Sequence, residues 1–199
     1  MSDIEKGNWI MGNKKRTNKR QESDVWKGLA AGLIGGLVAS WTMNRFQDAW
    51  SKLAENGEQS QGARSSQQKS AQQEQQSSSE EQDDTTVRAA SAISEGLFQH
   101  KLTESEKKIA GPAVHYTLGT GVGGLYGAVA ELVPEVNAGI GLPFGTLFWL
   151  VVDEGAVPLL GLAKGPTEYP ISTHVYALAS HLVYGLTAEI VRRAVRNAL

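Results

Sequence analysis

The sequence predicts an all-α fold: an integral membrane bundle of about four transmembrane helices, with a disordered Gln/Ser linker and an amphipathic helix between spans 1 and 2. Three observations predict it. Asp, Glu, Lys and Arg are absent from residues 28–44, 109–130, 136–152 and 169–188, stretches close to the roughly 20 residues that cross a bilayer. None of these stretches has the charged face that a helix on a water-soluble bundle needs opposite its apolar stripe. The first three are rich in glycine, which costs about 1 kcal/mol per residue in a water-exposed helix but is frequent in membrane helices.

Residues 1–24 read as a basic N-terminal arm carrying Lys14, Lys15, Arg16, Lys19 and Arg20, ahead of span 1 at 25–46. Beside a membrane span, such an arm sets orientation and touches lipid headgroups rather than nucleic acid. A cleaved signal peptide is disfavoured, because the apolar run starts about 25 residues in and no small-x-small site follows it. Gln and Ser supply 16 of the 30 residues in 55–84, too little apolar surface to offset ordering entropy, so this segment reads as a disordered linker.

Residues 85–199 hold the amphipathic helix and spans 2–4, at about 112–131, 138–162 and 171–191. Val87, Ala90, Ile93 and Leu97 share one helical face, capped by Asp84 or Thr85, and that face rests on the membrane or packs on the bundle. Thr103 and Glu106 fit a capping box ahead of span 2. Pro143 lies near the start of span 3, and Pro166 and Pro170 lie in the loop before span 4. Pro158 removes the hydrogen bond to the Glu154 carbonyl and is expected to kink the third helix.

Four spans put both termini on one side, and the basic arm together with Arg192, Arg193 and Arg196 makes that side cytoplasmic. Lys101, Lys107 and Lys108 lie on the opposite side, in a loop longer than the roughly 60 residues over which loop charge governs topology.

Gly28, Gly32 and Gly36 recur every four residues in span 1, as do Gly119, Gly123 and Gly127 in span 2. Such faces let helix backbones approach closely where lipid supplies no hydrophobic drive. Packing between these two spans is the first expectation; contact between copies in a homo-oligomer is the competing use, and pore lining a third.

The ionisable residues inside the apolar text are His115, Asp153, Glu154, His174 and His181. In a membrane segment such groups turn to a protein interior or to water. His174 and His181 are seven apart and share a face, whereas Asp153 and Glu154 are about 100° apart around a helix. Three readings compete: a polar network fixing helix register, a proton- or ion-responsive site exploiting histidine titration near neutrality, and a metal site. No HExxH or close His pair occurs, so no metal or cofactor is predicted.

The absence of cysteine excludes disulfides and thiolate chemistry, and a net charge of −2 excludes a generally basic nucleic-acid-binding surface. No nucleophile elbow or nucleotide fingerprint is present, and GTGVGG at 119–124 lies in apolar helix rather than between strand and helix. The expectation is a non-enzymatic protein whose surroundings are the lipid bilayer and whose protein partner the sequence does not name.

The strings AGPAVHYTLGTGVGGLYG, GLPFGTLFWLVVDEGAVPLLGL and TEYPISTHVYALASHLVYGLTAEIVRR, with WKGLAAGLIGGLVASWTMNRFQDAW in span 1, resemble the small bacterial inner-membrane family that includes YagU. The resemblance covers roughly residues 25–54 and 85–195, leaving out the arm and the linker. It implies an inner-membrane location and a loose association with acid resistance, and brings no catalytic residues. The leading expectation is thus a proton-responsive element in acid-stress tolerance; the alternative is a small transporter or channel subunit assembled through the glycine faces.

Overall fold

The computed structural model describes the backbone over residues 3–59 and 85–199 and the side chains over 24–53 and 85–199. The expected linker over 60–84, the Asp84 cap and the basic side chains of the arm lie outside the described residues.

The described residues are helical, without strands. Helix α1 spans Asp3–Gln59, α2 spans 85–98, α3 spans Glu104–Leu132, α4 begins at Leu142 and runs to Leu159, and α5 spans Ile171–Ala198. α1 packs against both α3 and α5, and α4 packs against α5.

Two boundaries differ from the sequence expectation. α1 is unbroken from Asp3, so the arm's backbone and residues 55–59 of the expected linker are helical. No proline interrupts this stretch, and Lys, Arg, Gln and Glu on both flanks favour helix. The third span begins at Leu142 rather than 138, because Gly139, Ile140 and Gly141 have φ of 75°, 55° and 81° and form a left-handed turn. Pro143 then sits in the first turn of α4, where its missing N–H costs nothing.

The capping box forms as its spacing predicts. Thr103 Oγ1 accepts from the Glu106 N–H at 3.4 Å, and the Thr103 N–H donates to Glu106 Oε2 at 2.7 Å.

The packing is inside-out for a water-soluble protein. The buried apolar residues are Ala, Met43 and tyrosines, while Leu33, Ile34 and Leu37 of α1, Leu125 of α3, Leu147 and Leu150 of α4 and Ile190 of α5 face outward. The helix Leu142–Leu159 is long and apolar enough to cross a membrane, with a mean hydropathy of 1.3, yet only 11% of it is buried. A core helix of a soluble domain would be covered. Among the described residues no other helix passes that test of length and composition. Glycine, serine, histidine and tyrosine facing the neighbouring helices lower the average of α1, α3 and α5. Ser40, Thr42, Thr146 and Ser180 donate their hydroxyls to carbonyls one turn back, so these polar groups are satisfied within their own helices.

Candidate functional site

The two glycine series lie against each other. A Cβ on Gly28 would stand 2.5 Å from the Gly127 carbonyl oxygen, and one on Gly36 at 2.5 Å from that of Gly119. One on Gly123 would meet Gly36 Cα at 2.5 Å, and Gly32 faces Gly127 Cα at 2.9 Å. The two backbones are in direct contact, with no room for side chains. A second crossing of this kind escaped the sequence reading: Gly185 of α5 packs on Gly145 of α4 and on Gly141 just before that helix, with 2.7 Å from its Cβ position to Gly145 N. The four-residue spacing of Gly141 and Gly145 was the available signal.

This close packing sets the distance at which polar side chains meet. The adjacent carboxylates of α4 diverge to different histidines of α5. Glu154 Oε1 lies 2.5 Å from His174 Nδ1, and Asp153 Oδ2 lies 3.6 Å from His181 Nδ1. The helix does not continue as regular α through this pair. A π-turn spans Val152–Ala156, with the Val157 N–H donating to the Val152 carbonyl. The irregularity expected from Pro158 takes this form, one turn earlier than the proline ring itself. π-turns re-aim side chains and are common at functional positions.

His174 is held from both sides. Its Nε2 lies 2.9 Å from the Pro166 carbonyl oxygen, which can only accept, so Nε2 carries a hydrogen. Nδ1 faces the Glu154 carboxyl, so that contact requires one proton shared by the two groups: imidazolium against carboxylate, or imidazole against carboxylic acid. Without it, lone pairs would face each other at 2.5 Å. The α4–α5 loop is folded around this ring: Tyr169 lies edge-on to it, and the Lys164 N–H donates to the Tyr169 hydroxyl. His181 differs. Its Nδ1–H donates to the Ala177 carbonyl at 2.9 Å, and Asp153 stands beyond hydrogen-bond reach.

Two cavities adjoin at Asp153. One, of about 100 Å³, is lined by Glu154, His174, Lys164 and Tyr169; the other, of about 90 Å³, by His115, His181, Ser40 and Tyr184; Asp153 and Thr85 line both. All five predicted ionisable residues therefore border one pair of cavities. His181 is buried, whereas side chains of Asp153, Glu154 and His174 are 27%, 16% and 25% exposed, so the cluster is less enclosed than expected. His115 lines the second cavity, edge-on to Tyr116. Among the described residues no group of three or more His, Asp or Glu is arranged to hold a metal ion.

Aromatic rings form part of the second cavity's wall and pack beside it. Phe148 lies edge-on to His181 and 5.1 Å from Tyr184, and Tyr126 stacks on Phe144 at 4.0 Å. The Tyr184 hydroxyl donates to the Gly119 carbonyl at 2.5 Å.

A charged cluster that sequence reasoning treated only as topology signals occupies the opposite end. Glu189 is wholly buried and accepts from Arg192 at 2.7 Å and from Arg193. Arg192 reaches Asn137, and Arg196 bridges Glu131 of α3 at 2.7 Å and Asp24 of α1 at 3.1 Å. The Glu131 hydrogen bond raises the Arg196 pKa above its ordinary value. The E-x-x-R-R spacing at 189–193 was the readable signal, since residues three and four apart meet on a helix.

Outward-facing leucines over helices joined through glycine define an all-helical membrane protein. Residues 86–190, just over half of the chain, match the family described as "Protein of unknown function (DUF1440)", and the chain belongs to that family. It is similar to "Inner membrane protein YagU" of Escherichia coli (strain K12), at 35% identity over 74 residues. The match takes in 37% of this chain and 36% of that relative, so the chain spans little more than a third of the relative's length. No solved structure matches the chain.

Proposed function

We propose that this is a four-span inner-membrane protein, with both termini cytoplasmic, that responds to protons through His174–Glu154 and His181–Asp153 and serves acid-stress tolerance without enzymatic activity. The observation that carries this reading is His174, clamped between a carbonyl and a carboxyl so that its contact with Glu154 depends on a shared proton. Histidine is the side chain whose ordinary charge change falls between about pH 5 and 8. The exposed leucines of α1, α3, α4 and α5 support four lipid-facing helices, and the bacterial relative supports an inner membrane. With the C-terminal arginines cytoplasmic, the His174 cavity opens toward the outer side, where external acid arrives.

The Phe148 and Tyr184 rings, packed on each other in the wall of the second cavity, favour sensing over conduction. The test is survival of acid challenge by cells expressing Asp153→Asn, Glu154→Gln, His174→Ala or His181→Ala. Loss of protection at unchanged membrane abundance is expected, together with no ion flux in proteoliposomes of the unaltered protein. Wild-type survival of all four variants would overturn the proton reading; pH-driven flux would favour the transporter reading.

A further inference from the structure

The stripe Val87, Ala90, Ile93, Leu97 begins on the bundle and then leaves it. Val87 lies against Gly111 and Ala90 is buried, but Ile93 is 48% exposed, Leu97 75% and Phe98 74%. Gln99, with a φ of 51°, turns the chain back, and Ile109 in the second turn of α3 is 74% exposed. Lys101 and Lys108 are exposed in the same segment. Two of its acids are engaged, Glu104 with Lys107 at 2.7 Å and Glu106 with Thr103 and His100, and the third, Glu95, is exposed on α2. The patch therefore combines large apolar side chains with cationic ones. It is continuous, through Ile109, with the apolar stretch of α3.

We propose that the second half of α2 and the turn into α3 dock on an acidic bilayer surface, with Leu97, Phe98 and Ile109 entering the acyl boundary and Lys101 and Lys108 meeting headgroup phosphates. Apolar area plus electrostatic attraction is the physics of an interfacial helix. Thr85, Thr86 and Ala89 of the same helix wall the second cavity, and Thr85 walls both. Lipid contact at one end of α2 thus holds the cavity wall in place at the other. The inference rests on the membrane-spanning reading.

The chain has no cysteine, so single nitroxide labels are clean probes. Full-length Leu97→Cys, Phe98→Cys, Ala92→Cys and Leu150→Cys are labelled and reconstituted in phosphatidylcholine vesicles with and without phosphatidylglycerol. Labels at 97, 98 and 150 are expected to collide with oxygen and be shielded from a water-soluble nickel chelate. The label at 92, about 140° around the helix from 97 and about 120° from 98, should show the reverse. Shielding at 97 and 98 should fall when phosphatidylglycerol is omitted or when Lys101→Gln and Lys108→Gln are added. A lipid-facing label at 150 with nickel-accessible labels at 97 and 98 would overturn the docking and leave the spanning reading intact. Nickel access at all of them would overturn both. Shielding of 97 and 98 from both reagents would mean a protein cover and overturn the docking, and so would shielding indifferent to both lipid charge and the lysines.

Discussion

His174 owes its chemistry to its neighbours: a carbonyl on one ring nitrogen fixes the tautomer, and a carboxyl on the other makes a proton part of the structure. Glu154→Gln keeps the shape but supplies an amide that satisfies Nδ1 without that proton, which is why the conservative change is expected to abolish the acid response. Glu106 is the contrasting case, at a helix start outside the membrane. The Thr103 N–H and hydroxyl, with His100, hold its carboxyl down from 4.5 to about 2. A lowered pKa stabilises the capped first turn above pH 4.5, and that support fades as pH falls toward about 2. The Thr103 amide resonance should therefore titrate well below pH 4.5, and the titration should vanish in Glu106→Gln; an ordinary midpoint would contradict the cap as drawn.

At the scale of elements, two devices join the helices. The α1–α3 crossing depends on bare backbone: a Cβ on Gly123 would meet Gly36 Cα at 2.5 Å and the Gly32 carbonyl oxygen at 2.7 Å. Backbone cannot swing aside as a side chain does, so Gly123→Val should destabilise the bundle by about 3 kcal/mol or more. Exposed Gly121, with nothing near its Cβ position, should accept alanine without loss. Denaturation in mixed detergent micelles reads both. The second device is the ion cluster at the α3–α4 turn. Glu189→Ala would strand buried Arg192 beside Glu131 and Asn137, at a cost of about 3–5 kcal/mol. Replacing both partners, as in Glu189→Gln with Arg192→Met, should recover much of that stability; equal loss in single and double variants would show that the pair is not the source. These elements were unequally legible. The glycine spacing and the Thr103–Glu106 box are local patterns and could be read directly. The π-turn at 152–156 could not, because a missing proline N–H is met equally well by a kink or a widened turn.

For the molecule as a whole, the helical class followed from where charge is absent, and the described residues form helices without strands. The sequence singles out five ionisable residues that the structure places around one pair of cavities, since few polar groups survive in apolar text without a partner. What it did not contain was their pairing. Which carboxylate meets which histidine depends on the rotation of α4 against α5, set by the glycine crossing at 141, 145 and 185. Nor did it show that the basic C-terminal residues, read there as topology signals, pair with Glu189, Glu131 and Asp24. The result is a bundle with the His174–Glu154 contact and its shared proton under the α4–α5 loop, packed aromatic rings beside the second cavity and an ion cluster at the far end. Its central proposal is that losing or gaining that proton loosens or tightens the α4–α5 loop over His174 while α2 stays in place. The direct measurement is the distance between spin labels on Ala92→Cys and Thr167→Cys, in lipid, from about pH 7.5 to about pH 5, the range in which histidine changes charge. The distance distribution should shift with pH, and the shift should disappear when Glu154→Gln and His174→Gln are added; a distribution indifferent to pH, or a shift that survives both substitutions, would contradict it.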